Sequence, residues 1–204
     1  MTAAVIAFTL ASVLIVLLPG PDTLVFLRAL MRGGRRSAVV TGAGVLTGVA
    51  VWVVAAAVGV SAVLRASHEA YLTLRVLGGA YLIWLGVQSL RARGLPAQEP
   101  ATASRRGLLG QGFGAGLATD LLNPKVGVFF MTFLPGFVPE GEPVGRTSLL
   151  FGAIFLVEGA AYFAVLLLLA RRVTDWMHRP VVRRRLDRAT GVILIGLGAR
   201  LASE

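Results

Sequence analysis

Cysteine is absent from the 204-residue chain, which excludes a disulfide framework, a thiolate metal site and a cysteine nucleophile. Histidine occurs only twice, as His68 and His178 in polar stretches between apolar runs, so no histidine-built metal centre is expected. Lysine occurs once, as Lys125, among twenty basic residues. Charge is scarce, at 15% of residues, whereas 56% are hydrophobic and the mean hydropathy is +0.78. That balance is the signature of a polytopic membrane protein. The formal charge of +10 raises the question of nucleic acid. The arginines, however, sit in short stretches between apolar runs, so the positive-inside rule accounts for them and no nucleic-acid partner is expected. No Lys or Arg precedes Arg28, so the N-terminus lacks the basic region of a signal peptide. It reads as the first half of a retained membrane helix.

The sequence is organised around Leu17-Leu18-Pro19-Gly20-Pro21-Asp22-Thr23, inside the first apolar run. Each proline removes a backbone donor and clashes with the preceding turn, so the helix must break there. A broken helix carrying an acid at membrane depth is tolerated only where it lines a cavity. A related interruption, Thr119-Asp120-Leu121-Leu122-Asn123-Pro124-Lys125, follows about 100 residues later. Interrupted apolar segments at corresponding places in two halves point to the binding site of a transporter.

Six spans are drawn, at about 3–31, 38–64, 71–90, 108–138, 147–170 and 190–202, the first and fourth interrupted. Arginines crowd the connections after spans one (Arg32, Arg35, Arg36), three (Arg91, Arg93, Arg105, Arg106) and five (Arg171, Arg172, Arg179 and Arg183 to Arg185). Those connections therefore face the cytoplasm and both termini face outside. The expected fold is an all-α integral membrane protein forming a single domain over 1–204. It divides into a three-helix repeat (1–90), a cytoplasmic linker (91–107) and a second three-helix repeat (108–204). An odd number of spans per half inverts one repeat against the other. Pro21 and Pro124 lie 103 residues apart, and Arg75-Val-Leu-Gly78 matches Arg188-Ala-Thr-Gly191 at an offset of 113. The Gly-rich runs over 42–48 and 110–116 read as close-packing helix faces, which also permit a homodimer.

Charges at membrane depth face the bundle interior and mark substrate or ion pathways. Gly20-Pro21-Asp22 opens a half-helix whose dipole favours an anion, and Asp22 is also good capping chemistry. Asn123 and Pro124 start the second half-helix as cap and first residue. Its amides, with the Lys125 ammonium beside them, suit a substrate carboxylate. The alternatives for Lys125 are a snorkelling anchor or a structural ion pair with Asp120 or Asp22. Asp22 or Asp120 would face a substrate ammonium group. Glu158, mid-span in the fifth segment, and Asp22 are the candidates for a carboxylate that changes protonation during transport. The bland reading of Glu158 is a neutral hydrogen-bonded side chain. Tyr162 lies one turn further on the same face.

Pro19-Gly20-Pro21-Asp22, the Gly-rich second span, Leu77-Gly78-Gly79-Ala80-Tyr81-Leu82 and Asn123-Pro124-Lys125 followed by Phe129-Phe130 together resemble the LysE/RhtB family of bacterial amino-acid exporters. The resemblance covers nearly the whole chain. It implies secondary-active export of amino acids or close analogues across the inner membrane, driven by the proton gradient, without an ATPase partner or organic cofactor. It matches Pro19 to Asp22 and Asn123 to Lys125 to the two motifs and does not name the substrate. The competing readings are a metal-ion or other small-solute exporter, a membrane-embedded enzyme and a non-transporting scaffold. The scarcity of metal-ligating side chains argues against a metal, the lack of a nucleophile–base pair against an enzyme, and the buried charges against a scaffold.

Overall fold

A computed structural model describes residues 1–91, 112–170, 172 and 180–203. Every regular element among them is helical: α1 (Thr2–Leu17), α2 (Pro21–Ala66), α3 (His68–Arg91), α4 (Phe113–Leu121), α5 (Pro124–Val128), α6 (Val144–Leu168) and α7 (Pro180–Ser203). A π-helical turn (Phe129–Phe133) and a 3-10 turn (Leu134–Phe137) extend α5. The chain breaks between α1 and α2, where Leu18 is extended (φ −71°, ψ 111°). It breaks again between α4 and α5, where Asn123 is extended (φ −81°, ψ 104°). Both breaks fall at the proline motifs, because proline withholds a donor and pushes its predecessor out of the helical region.

Two boundaries differ from the sequence expectation. Arg32, Arg35 and Arg36 are helical, and the change of direction rests on Gly34 alone (φ 70°, ψ −169°). Only glycine adopts that φ without strain, and arginine is a good helix former, so a basic stretch need not be a loop. The last helix begins at Pro180, ten residues before the expected span. Proline at a first helical position and the arginines behind it support the early start. Most of the expected linker (92–107), with Arg93, Arg105 and Arg106, lies outside the described residues, as do Arg171, Arg179 and His178.

The helices pack through glycines. α2 lies against α4 and α6, α1 against α6, and α3 against α7. A Cβ at Gly44 would strike the Phe113 carbonyl, and one at Gly116 would strike the Thr41 carbonyl. Backbones therefore touch there, as small residues permit in membranes. The α3–α7 contact is reciprocal: Gly86 meets Gly191 and Ile195, while Gly198 meets Gly79 and Ile83. Gly79, Ile83 and Gly86 each stand 112 residues before Gly191, Ile195 and Gly198. This register differs by one residue from the Gly78–Gly191 match.

Among the described residues, two helical stretches are long and apolar enough to cross a bilayer by length and composition, Pro21–Gly59 and Val144–Leu168. The core joins α1, α5, the turns after it and α6 through phenylalanines. Phe8 stacks on Phe151 at 4.5 Å and Phe129 meets Phe155 at 5.3 Å.

Candidate functional site

Pro19 cannot donate to the carbonyl of Ile15, four residues before it, so the last turn of α1 is left with open acceptors. Lys125, in the first turn of α5, supplies the donors: its Nζ lies 3.3 Å from the Ile15 carbonyl and 3.1 Å from that of Leu18. Gly20 leaves room for this reach, since a Cβ there would lie 3.2 Å from the same Nζ. The second break answers the first. Asn123 accepts from its own helix through the Lys125 amide at 3.1 Å and donates from Nδ2 to Asp22 Oδ2 at 2.6 Å. Each break is thus completed by side chains of the other, more than 100 residues away in sequence.

Between the breaks lies a cavity of about 50 Å³, lined by Gly20, Asp22, Asp120, Lys125, Tyr162 and apolar side chains of α1, α2 and α6. One water needs ~10–15 Å³ by this measure, so a few waters or an ammonium-sized group fit. Asp120 is fully buried, and neither of its carboxylate oxygens has a hydrogen-bond partner; Asp22 Oδ1 has none either. Asp120 is pressed against α2, where a Cβ at Gly48 would come within 2.5 Å of Oδ2. An unpaired carboxylate in an apolar interior is costly unless a cation or proton meets it.

The structure brings Gly20, Asp22, Asp120 and Lys125 to one cavity and ties Asn123 to its rim. Pro21 and Pro124 are exposed and do not line it. Pro124 and Asn123 instead edge a wider groove of about 520 Å³ between α5, α3 and Trp52 of α2. Glu158 is outside the cavity lining as well. It is half-buried beside Ser12 of α1, and neither of its oxygens has a hydrogen-bond partner. The Lys125 ammonium hydrogen-bonds carbonyls of α1 and its end, clamping that break, while Asp22 and Asp120 line the same cavity. The first-turn amides of α5 are also engaged, since Val126 N–H and Gly127 N–H both reach the Asn123 carbonyl.

Other contacts were not read from the sequence. Trp52 Nε1 donates to the Asp120 carbonyl at 3.4 Å, the partner that an indole N–H in an apolar span requires. Thr23 and Tyr162 hydroxyls pair at 3.3 Å across α2 and α6, beside the stacked rings of Phe26 and Phe163 at 4.6 Å.

Two helix breaks meeting at a cavity inside an apolar helical bundle are an arrangement that points to a transporter's binding site, and the family match makes the chain a translocator, a transporter and not an enzyme. The chain belongs to the LysE type translocator family, whose model matches residues 13–204. It is 32% identical over 198 residues to the homoserine/homoserine lactone efflux protein of Salmonella typhimurium, covering 97% of this chain and 95% of that one. It is 27% identical over 207 residues to the leucine efflux protein of Klebsiella pneumoniae, covering 97% and 94%. An uncharacterised membrane protein of Bacillus subtilis is 24% identical over 204 residues, covering 97% of both chains. No solved structure matches.

Proposed function

We propose that this protein exports amino acids or close analogues across the bacterial inner membrane by proton antiport with alternating access. The observation that carries the reading is Asp120, a fully buried carboxylate without a partner, facing a cavity between two helix breaks. The efflux activities named for its relatives from Salmonella and Klebsiella support the same direction and substrate class. In this reading Asp120 and the open oxygen of Asp22 receive the substrate ammonium. Lys125 turns its third N–H, with the first turn of α2, toward the carboxylate end, and Gly20 provides space. Asn123 and Pro124 hold the second break in register. Asp22 or Glu158 carries the returning proton.

The architecture proposed for this cycle is six transmembrane spans in two inverted three-helix repeats. The reciprocal α3–α7 contact supports it, because equivalent helices of inverted halves meet about their common axis. The positive-inside pattern supports termini outside and basic connections in the cytoplasm, next to anionic lipid. A homodimer stays part of the proposal on a face other than the glycine run over 42–48 and Gly116, which pack within the chain.

The test is export by cells that overproduce the protein and are loaded with dipeptides, raising internal amino acids one at a time. Accumulation of one amino acid outside, abolished by an uncoupler and by Asp120→Asn at normal membrane levels, is the expected result. No efflux of any amino acid from protein shown to be in the membrane overturns the reading.

A further inference from the structure

The buried apolar side chains form two separate clusters, and the cavity lies between them. Along α6, Phe151 of the first cluster lies before the cavity-lining Phe155 and Gly159, and Leu166 of the second lies beyond Tyr162 and Phe163. The first cluster is broad. Its rings run in continuous contact from Phe8 of α1 through Phe129 to Phe155 of α6. The second is narrow where the first half of α2 meets α6. One stacked pair, Phe26 on Phe163 at 4.6 Å, and the Thr23–Tyr162 hydroxyl pair at 3.3 Å hold the two together. Gly42 makes the seat for the Phe26 ring, since a Cβ there would lie 3.1 Å from it.

That first half of α2, residues 21–33, has a point of backbone freedom at each end. The break after α1 precedes it, and Gly34 at φ 70° ends it. Hinges consist of a few element-terminal residues that absorb such changes of angle. A helix turning about its ends as one body keeps its own hydrogen bonds. The Asn123 bond to Asp22 sits at the near pivot, so the outward swing breaks the ring stack and the hydroxyl pair.

We infer that residues 21–33 are a gate hinged at both ends, latched by Phe26 between Phe163 and Gly42, which opens the cavity toward the side where Gly34 lies. The inference rests on the exporter reading above and specifies which wall moves within it.

The chain has no native cysteine, so one introduced thiol reports the opening. Val49→Cys places it in the cavity wall. Membrane vesicles of both orientations are treated with a membrane-impermeant methanethiosulfonate bearing a quaternary ammonium. The Gly34 side is identified as the face at which Arg36→Cys reacts. From that face, Val49→Cys is expected to react about tenfold faster when Phe26→Ala is added, the shift in the closed–open balance that a lost ring pair produces. Phe8→Ala, which removes the ring stacked on Phe151 in the other cluster, is expected to leave the rate unchanged. Phe26→Leu keeps apolar bulk but loses the stack, and it decides the matter if Phe26→Ala does not fold. Equal rates with and without the Phe26 substitution, equal acceleration by Phe8→Ala, or acceleration only from the opposite face overturns the inference. Each of these leaves the exporter reading standing, because the dipeptide assay decides that reading without any thiol.

Discussion

Lys125 and Asp120 lie on the same broken span yet answer to different measurements. Lys125→Met leaves the carbonyls of Ile15 and Leu18 without their donor. An unsatisfied buried acceptor costs ~1–3 kcal/mol, so for the two a loss of about 2–6 kcal/mol is expected in reversible unfolding in detergent. Asp120→Asn removes a carboxylate that no hydrogen bond in the protein satisfies. Its folding stability is expected to be unchanged or higher, while export is lost. A destabilised Asp120→Asn would place the aspartate in the scaffold instead. That both charges fall inside an apolar run was legible in the sequence, and such a charge is expensive wherever it lies. Their partners were not. The Lys125 ammonium follows from geometry to two carbonyls 110 and 107 positions away, and no local pattern encodes that choice.

The helix breaks were readable because proline acts on its own turn. Gly34 was not, because its effect depends on a backbone angle that neighbouring arginines neither impose nor reveal. Gly34→Ala forces a side chain into φ 70°, ψ −169°, a region essentially confined to glycine, and is expected to cost ~1–3 kcal/mol, seen as a lower melting temperature. Gly44 lies against the backbone of Phe113 and Gly116 against that of Thr41, so Gly44→Leu is expected to part α2 from α4 and deplete the protein from the membrane fraction. A fluorescent fusion reports this loss directly. The early start of α7 escaped the sequence reading for a related reason. Hydropathy locates the part of a helix that sits in lipid, not the polar turns that precede it.

The six-span division and the cytoplasmic face were inferred from where arginines gather. Because the chain has no native cysteine, one introduced cysteine gives an uncluttered signal. Thr2→Cys should react with a membrane-impermeant maleimide on intact cells, and Arg36→Cys only after permeabilisation. The reverse pattern would invert the orientation. The glycine match in the sequence sets Gly78 113 residues before Gly191, whereas the reciprocal α3–α7 contact spaces its paired positions by 112. Weakly similar apolar helices leave such one-residue slips open until contact fixes them.

The mutual completion of the two breaks also sets a timetable for biogenesis. The Ile15 carbonyl waits for Lys125, 110 residues later in the chain. At ~5–20 residues per second of synthesis, that wait is about 5–20 s, far longer than helix formation. During it the end of the first segment must keep its open carbonyl wet or sheltered by the insertion machinery. A nascent chain halted before residue 124 should therefore hold that segment beside the translocon, detectable by site-specific crosslinking from position 17. Release should come only once the lysine has emerged.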